Sequence, residues 1–468
     1  MLKYITIILL ALIVFSSCRK DVLFEDNTAK IEFSTDTVFF DTVFTTVGSI
    51  TERIKIYNPY DLPIQLDRIW LKSGPQSNFK LNVDGLAGKD VKDVRIEAND
   101  SIFVFIEVTV DPNGGNTPMV IEEQLMINSN GNEQSVDLVA WGQDAYFWPS
   151  FAFQFPNDSV ALKNDKPNVF YGYSLIDSLT TLVIPEGTNV HFHNNSGLIV
   201  GTGASLKVRG TLDNPVTFQG DRIEDFFKES PGQWGQIVLT QTSVGNYFNH
   251  AIIKNGGIGL SVGFTLDPTL AQRPEVVLKN TQILNMSFIG LIGIDANIRA
   301  ENTVVANCGD HTVALVLGGE YDFKHCTFAN YFNDNPRSKP VLLMSNFSES
   351  EDGQIFKRDL NARFRNSILH GALDSELQRE RETGVAFDYV FDRVILKLDT
   401  EDISNTDRFI GVVKNPEGSL FINPNENNYS LPSESAAIDA GVDIGIPLDL
   451  LGKMRTEVPD LGAIEFID

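Results

Sequence analysis

Cysteine, tryptophan and positive charge are all scarce in this sequence of 468 residues. Three cysteines cannot form a disulfide framework. Lysine and arginine together number 37 against 62 aspartates and glutamates, and the formal net charge is −25. This excess argues against nucleic acid or any other densely anionic partner. Apolar residues at 42% and charged residues at 21% argue against both a disordered chain and a polytopic membrane protein.

The first residues have the pattern of a cleaved export signal. Met1-Leu2-Lys3 is a short basic region, residues 5–15 are apolar except for Thr6, and Ser16-Ser17-Cys18 follows. The apolar run is too short to cross a bilayer. The pattern resembles the lipobox of bacterial lipoproteins, in the form found in Bacteroidetes. The resemblance implies that residues 1–17 are removed and that Cys18 is lipidated. An ordinary secretory signal with a chance cysteine is the alternative.

Residues 18–30 then form a predicted tether. Arg19-Lys20-Asp21 and Glu25-Asp26 resemble the charged segment that directs such lipoproteins to the cell exterior. The resemblance implies a protein held by its acyl chains on the outer membrane without crossing it. The exterior side is the prediction, with the periplasmic side as the alternative.

Residues 31–145 have the pattern of an antiparallel β-sandwich. Short alternating stretches such as Arg53-Ile54-Lys55-Ile56-Tyr57 are separated by turn signals such as Asn128-Ser129-Asn130-Gly131, at roughly ten-residue spacing. This layout resembles the immunoglobulin-like modules of bacterial surface proteins, which usually act as spacers or docking surfaces. An aromatic-rich connector over residues 146–181 is predicted to follow.

From residue 182 to residue 468 the sequence becomes quasi-repetitive, which indicates stacked units. Five short segments align, and they begin at His250, Asn280, Asn302, His325 and Asn366. Alternation along a strand predicts three inward columns. The first is small (Ala251, Thr281, Thr303, Cys326, Ser367), the second is large and apolar (Ile253, Ile283, Val305, Phe328, Leu369), and the third is mainly asparagine (Asn255, Asn285, Asn307, Asn330).

These columns resemble the right-handed parallel β-helix of the pectin-lyase type. The predicted fold class is therefore all-β, an immunoglobulin-like sandwich followed by a right-handed parallel β-helix. The segments Ser435-Ala436-Ala437-Ile438-Asp439-Ala440-Gly441 and Pro459-Asp460-Leu461-Gly462-Ala463-Ile464-Glu465 resemble those of bacterial surface β-helix proteins. We predict that the second of them caps the open end of the helix, where a bare strand edge would invite aggregation.

The outward columns of the repeat strand contain no carboxylate. Alternation places the five repeat starts, the column of Ile252 and Gln282, and the column of Lys254 and Leu284 on this face. Glycosidases need paired carboxylates, and lyases of this fold need a basic residue beside carboxylates that hold calcium. We therefore predict no catalytic residue on this face.

The strand before the repeat is more charged. Arg299, Asp322 and Arg363 are predicted to lie on successive coils, stacked about 5 Å apart. One interpretation is a groove for an extended polar ligand, and its candidate binding residues are Arg299, Glu320, Asp322, Lys324 and Arg363. The other is a ladder of alternating charge that joins neighbouring coils, and the order of signs favours it.

Evidence for metal or disulfide sites is weaker. His191 and His193 are predicted to share one strand face as an exposed pair without a third ligand. The acidic run Glu349-Ser350-Glu351-Asp352 is predicted to be solvated, with a Ca²⁺ contact left open. No metal site and no other cofactor is predicted. Cys308 and Cys326 fall at opposite ends of adjacent strands, so no disulfide is expected between them.

Five Asp-Ser/Thr-apolar tripeptides precede residue 180. They resemble the O-glycosylation sequon of exported Bacteroidetes proteins, although so short a motif often matches by chance. The candidate acceptor residues are Thr37, Thr42, Ser101, Ser159 and Ser178.

Three functions fit these patterns. The first is a non-catalytic surface lipoprotein that presents its β-helix to a polysaccharide or to an outer-membrane protein partner. The second is a polysaccharide lyase or glycoside hydrolase, which rests on analogy of fold alone. The third is a purely structural component of the outer membrane. The lack of a catalytic cluster favours the first and leaves enzymatic activity open.

Overall fold

The protein is all-β and forms two compact units, Met1–Asp144 and Ala145–Asp468. The structure is a computed structural model that describes residues 22–45, 48–111, 119–150, 159–224, 227–264, 272–333, 336–350, 352–400 and 403–466. The predicted signal peptide and Cys18 lie outside the described residues. The described part of the chain has no helix with the length and apolar character that crossing a bilayer requires.

The first unit is a β-sandwich with a short 3₁₀ helix at Gly74–Gln76. Its ten strands are β1 (Glu32–Phe33), β2 (Thr37–Phe44), β3 (Glu52–Tyr57), β4 (Ile64–Leu71), β5 (Phe79–Val83), β6 (Leu86–Ala87), β7 (Asp90–Ile96), β8 (Ser101–Val108), β9 (Met119–Ser129) and β10 (Asn132–Gln143). One sheet has the order β1-β3-β8-β5-β6 and the other β2-β10-β9-β4-β7. All these pairs are antiparallel except β2 with β10. Inward side chains of both sheets, such as Ile56 and Leu125, form one buried core.

The second unit is a parallel β-helix. Its strands are β11 (Tyr146–Trp148), β12 (Ser159–Ala161), β13 (Asn168–Phe170), β14 (Tyr173–Ile176), β15 (Thr181–Pro185), β16 (Asn189–Phe192), β17 (Gly197–Val200), β18 (Ser205–Arg209), β19 (Val216–Gly220), β20 (Ile237–Thr240), β21 (Asn246–Asn249), β22 (Ala251–Lys254), β23 (Leu260–Phe264), β24 (Glu275–Lys279), β25 (Gln282–Met286), β26 (Leu291–Glu301), β27 (Val304–Cys308), β28 (Val313–Lys324), β29 (Thr327–Asn330), β30 (Leu342–Ser345), β31 (Phe347–Glu349), β32 (Ile355–Lys357), β33 (Leu360–Gly371), β34 (Leu377–Glu380), β35 (Phe387–Leu396), β36 (Phe409–Ile410) and β37 (Val413–Lys414). A further 3₁₀ helix spans Pro424–Glu426.

Parallel pairing between successive coils divides this unit into three sheets. Strands β14, β17, β20 and β23 begin the first sheet, β12, β15, β18 and β21 the second, and β11, β13, β16 and β19 the third. Later coils contain long strands that run through two sheets, such as β28 and β33. Because residues 146–181 already contain four of these strands, the prediction that they form a connector is wrong.

Stacked aromatic rings fill much of the β-helix interior. Phe323, Phe364, Phe391 and Phe409 are partners in register on successive coils, with ring centroids 4.9 to 5.7 Å apart. This stacking accounts for part of the high phenylalanine content, because one ring position is repeated coil after coil. The two predicted interior columns that start at Ala251 and Ile253 are buried throughout, as expected.

The repeat starts form a buried ladder at the corner between the second and third sheets. His250, Asn280, Asn302, His325 and Asn366 all have positive φ, between +44° and +49°. Asn302 Nδ2 donates to Asn280 Oδ1 at 3.1 Å, and Asn366 Nδ2 lies 3.0 Å from His325 Nε2. Asn302 and Asn366 donate to the Leu448 and Val442 carbonyls outside the β-helix, so this column faces outward as predicted, and its later members are buried under the chain that lies on them.

Residues 416–466, here called the C-terminal segment, cover the outer face of the third sheet. Apolar residues including Phe421, Leu431, Leu461 and Ala463 pack on the outward side chains of the later coils. The described part of this segment therefore lies along the side of the β-helix, and the prediction that its last residues cap the open end is wrong. The outward residues of those coils are themselves apolar, which gives the segment a surface to bury.

A buried ion pair and the corner ladder fix the C-terminal segment. Arg455 Nη1 donates to Glu465 Oε2 at 2.8 Å, and Arg455 Nη2 donates to Asn302 Oδ1 at 2.9 Å. Asn302 and Asn366 donate in turn to the backbone carbonyls of Leu448 and Val442. The ladder side chains thus form hydrogen bonds between neighbouring coils and also with the C-terminal segment.

Candidate functional site

A groove of about 810 Å³ lies on the open part of the third sheet. We call it the amide groove, because asparagine, glutamine and threonine side chains line most of it. Its lining residues are Asn189, Thr217, Gln219, Glu229, Pro231, Ile252, Lys254, Gln282, Leu284, Asn285, Asn307, Tyr331, Phe332, Asn333, Asn425, Glu426 and Asn427.

The floor of the amide groove consists of outward side chains on neighbouring strands. Asn189, Thr217, Ile252 and Gln282 are consecutive partners across β16, β19, β22 and β25. Parallel strands lie roughly 4.8 Å apart, so each coil adds one side chain to the column at that interval. The groove therefore crosses the strands, and three of the four side chains in this row are polar.

Asparagines at the end of the third-sheet strands connect the floor to the walls. Asn255, Asn285 and Asn307 have positive φ, as predicted for a sharp turn. Asn285 Nδ2 donates to Glu229 Oε2 at 2.7 Å, and Asn307 Nδ2 donates to the Pro424 carbonyl at 2.9 Å. The prediction that this column faces the interior is wrong for these coils, because the left-handed turn points the amides toward the surrounding loops.

The two walls come from distant parts of the chain. The loop after β19 contributes Glu229 and Pro231, and the C-terminal segment contributes Asn425–Asn427. Glu229 accepts hydrogen bonds from Lys254 Nζ at 3.0 Å, from Asn285 Nδ2 at 2.7 Å and from Asn427 Nδ2 at 3.4 Å. The Glu229 carboxylate, which belongs to one wall, thus contacts the floor and the other wall.

The charge of the amide groove is nearly balanced. Lys254 and Glu229 form an ion pair, and Glu426 is the other charged residue among those that line the groove. Both oxygens of Glu229 accept hydrogen bonds from neighbouring side chains, Oε1 from Lys254 and Oε2 from Asn285 and Asn427. This chemistry suits a neutral ligand rich in hydroxyl groups.

The predicted ligand residues of the second sheet lie close together. Arg299, Asp322 and Arg363 are partners in register on β26, β28 and β33, as predicted. Asp322, however, pairs with Lys324 at 3.2 Å and with Arg365 at 3.2 Å. Glu320 contacts Arg273 at 3.4 Å. The charge ladder is therefore present, but its ion pairs differ from the predicted ones.

The predicted modification sites are scattered. Thr37 lies on β2, Ser101 begins β8, Ser159 begins β12, and Ser178 lies in an exposed turn. Thr42 also lies on β2, and its side chain is outside the described part of the chain. These positions remain predictions.

The two histidines of β16 and the following turn do not form an exposed pair. His191 is buried, its Nδ1 lies 2.8 Å from the Gly220 carbonyl, and burial lowers its pKa to about 4. His193 Nδ1 lies 2.6 Å from Asp221 Oδ2, and burial raises the pKa of Asp221. Within the residues that the structure describes, no group of three or more His, Cys, Asp or Glu side chains could hold a metal ion.

The remaining weak candidates stay separate. Glu349 ends β31 at the tip of a short hairpin with β32, and Ser350 donates to Asp352 at 2.5 Å. Glu351 lies outside the described residues, and the Ca²⁺ contact remains a prediction. Cys308 and Cys326 are buried free thiols, and burial raises the pKa of each to about 12.

Comparisons with known proteins add little. No protein family and no curated protein matches this chain. A family 123 glycoside hydrolase from Clostridium perfringens is 9% identical over 25% of this chain and 26% of its own, with a TM-score of 0.17. A PapD-like domain of human CEP192 is 12% identical over 27% of this chain and 94% of its own, with a TM-score of 0.17. A Porphyromonas gingivalis W83 protein of unknown function is 11% identical over 28% of this chain and 59% of its own, with a TM-score of 0.18. These scores carry no argument about function.

Proposed function

We propose that this chain is a lipid-anchored surface protein that binds a neutral polysaccharide in the amide groove without cleaving it. The observation that carries the proposal is the groove itself, which is about 810 Å³ in volume and has side-chain amides at eight of its seventeen lining residues. Sugar hydroxyls both donate and accept hydrogen bonds, and an amide side chain offers both functions. Tyr331 and Phe332 add apolar surface against which a sugar ring can pack.

The charge of the chain supports a neutral ligand. A protein with a net charge of −25 repels polyanions, and no unpaired cation lies among the described residues of the groove.

The location belongs to the same proposal. Lipidation of Cys18 would hold the protein on the outer membrane at the cell exterior, and the sandwich would act as a spacer. An outer-membrane protein complex is the alternative partner. Recovery of one stoichiometric partner from detergent-solubilised membranes would favour the complex.

Added hexose mass on the peptides that contain Thr37, Thr42, Ser101, Ser159 or Ser178 would establish O-glycosylation.

The test is a glycan array followed by affinity measurement on the best neutral polysaccharide. We expect the Gln219→Ala/Gln282→Ala variant to bind at least 10-fold more weakly, since each lost hydrogen bond contributes about 1 kcal/mol. The matched control is Gln354→Ala, an exposed amide in the turn between β31 and β32, which should bind normally. Equal binding by all three proteins, or no binding to any neutral glycan, would contradict the proposal.

Hydrolysis is the alternative function, and one observation favours it. Glu426 on one wall and Glu229 on the other give the groove two carboxylates. New reducing ends in the presence of wild-type protein, absent with Glu426→Gln, would establish a glycoside hydrolase. Unsaturated uronates would establish a lyase.

A further inference from the structure

A second depression lies on the outer face of the second sheet. It has a volume of about 220 Å³ and is lined by Asn297, Arg299, Glu320, Tyr321, Asp322, Asn361, Arg363 and Arg365. This volume holds one sugar-sized group and not a chain. Three of the eight lining residues are arginines, although the protein as a whole is strongly acidic.

The central carboxylate of this depression is already neutralised. Asp322 contacts Lys324 Nζ at 3.2 Å on its own strand and Arg365 Nη2 at 3.2 Å on the next coil. Glu320 is contacted by Arg273 at 3.4 Å. The two acidic residues of the depression therefore each have a cation of their own.

Within the part of the chain that the structure describes, Arg299 and Arg363 have no partner. They occupy the positions in register with Asp322 on the two neighbouring strands, roughly 10 Å apart along the β-helix. Both are exposed, and neither guanidinium forms a hydrogen bond or ion pair with any residue that the structure describes. Two unpaired guanidinium groups thus flank a neutralised carboxylate.

We propose that this depression binds one oxyanion group, a carboxylate or sulfate, carried by a saccharide. The planar fork of a guanidinium matches the two oxygens of such a group, and Arg299 and Arg363 can approach it from opposite sides. Asn297 and Asn361, in the adjacent column, lie where amides can bond the hydroxyls of the same sugar. The net charge of the chain repels such a ligand far less than a polyanion, because a single acidic unit carries one charge and exposed charges are screened beyond about 8 Å at physiological ionic strength.

The site is distinct from the amide groove. It lies on another sheet, it requires charge, and it takes a single acidic unit. A protein with both sites would bind a neutral chain on the third sheet and an acidic sugar on the second.

The experiment titrates the full chain with glucuronate and with inorganic sulfate, using glucose as the neutral probe. We expect Arg299→Gln/Arg363→Gln to weaken glucuronate binding at least 10-fold. Asp322→Asn should strengthen it about threefold or more, because it removes the carboxylate between the arginines and releases Lys324 and Arg365. The control is Arg381→Gln, an exposed arginine just after β34, which should leave binding unchanged.

The gain expected for Asp322→Asn cannot arise from misfolding, so it separates a binding role from a structural one. No binding of glucuronate or sulfate by the wild type, equal binding by the double arginine variant, or binding to phosphatidylglycerol vesicles without binding to glucuronate would each overturn the inference. Normal binding of the neutral polysaccharide by Arg299→Gln/Arg363→Gln would show that the groove is independent.

Discussion

The outer face of the third sheet is open along its earlier coils and covered along its later ones. The open part presents Asn189, Thr217, Ile252 and Gln282 in one column, and the same column continues under the C-terminal segment as Val304, Thr327, Ile368 and Ile395. The inward columns that begin at Ala251 and Ile253 are buried in both parts. Outward residue type therefore decides where the C-terminal segment packs and where a groove remains.

The two parts are also connected. The segment that buries Ile368 continues into Asn425–Asn427, which form a wall of the amide groove. The proposed ligand site and the structural cover thus share one stretch of chain. Substitutions in the covered part should change stability, whereas substitutions at the groove should change affinity.

The largest effect is expected from Arg455→Met, which breaks the ion pair that holds the cover. Arg455 and Glu465 are both nearly fully buried, so removal of one leaves an unpaired charge. We expect a loss of about 3–5 kcal/mol in the free energy of unfolding and faster hydrogen exchange over residues 416–466. Arg455→Met/Glu465→Met should recover most of the loss. Unchanged exchange in the single variant would show that the pair does not hold the cover.

A smaller effect is expected from Ile368→Ala in the covered part. Ile368 is fully buried, and the cavity should cost about 2–5 kcal/mol in unfolding free energy. Ile252→Ala changes the same column in the open part, where the side chain is only half-buried, and should cost about 1 kcal/mol. Chemical denaturation of both variants measures the difference. An equal loss of unfolding free energy in the two variants would mean that the open and covered parts do not differ in burial.

The corner ladder predicts a pH dependence. Burial, followed by the charge of Arg455, lowers the pKa of His325 to about 3, against about 6.5 in an unfolded chain. Because the folded-state pKa is depressed, the contribution of the neutral ring to stability is complete above pH 6.5 and is lost as the pH falls from 6.5 toward 3. At pH 5 the loss is about 2 kcal/mol.

His325→Asn should remove this dependence, because asparagine occupies the same left-handed position in neighbouring coils. The free energy of unfolding between pH 7.5 and pH 5 should therefore fall less in this variant than in the wild type. The control is His250→Asn in the open part, where burial lowers the pKa of the more exposed ring. An unchanged slope for His325→Asn would contradict the assignment.

Much of the fold could be predicted because alternation in the sequence reports burial directly. The columns that begin at Ala251 and Ile253 are inward in every coil, and Arg299, Asp322 and Arg363 are in register. The burial of Asn302, His325 and Asn366 at the corner could not be predicted in this way, because they are covered by the C-terminal segment, which lies outside the repeat.

The groove was missed for a different reason. Its walls, Glu229 and Asn425–Asn427, lie in segments outside the repeat, and no periodicity relates them to the floor. Two signals were nevertheless present. Val304 and Ile368 sit at outward positions, which indicates a covered face, and the asparagine-rich run near residue 425 stands out from its surroundings. The sequence prediction considered only carboxylates on this face and therefore did not include the amides of Gln282 and its neighbours.

The smallest effect is expected from Asn427→Gly, at the place where the cover becomes the groove wall. Asn427 has a φ of +57°, which glycine adopts without strain, and its side chain contacts Asn307 and Glu229. We expect the affinity for the neutral polysaccharide to fall about threefold while the unfolding free energy changes by less than about 0.5 kcal/mol. The matched control is Asn99→Gly, a left-handed asparagine of the sandwich with a φ of +55°. A large loss of stability with unchanged affinity would instead place Asn427 with the covered part, and the boundary between the two parts would move.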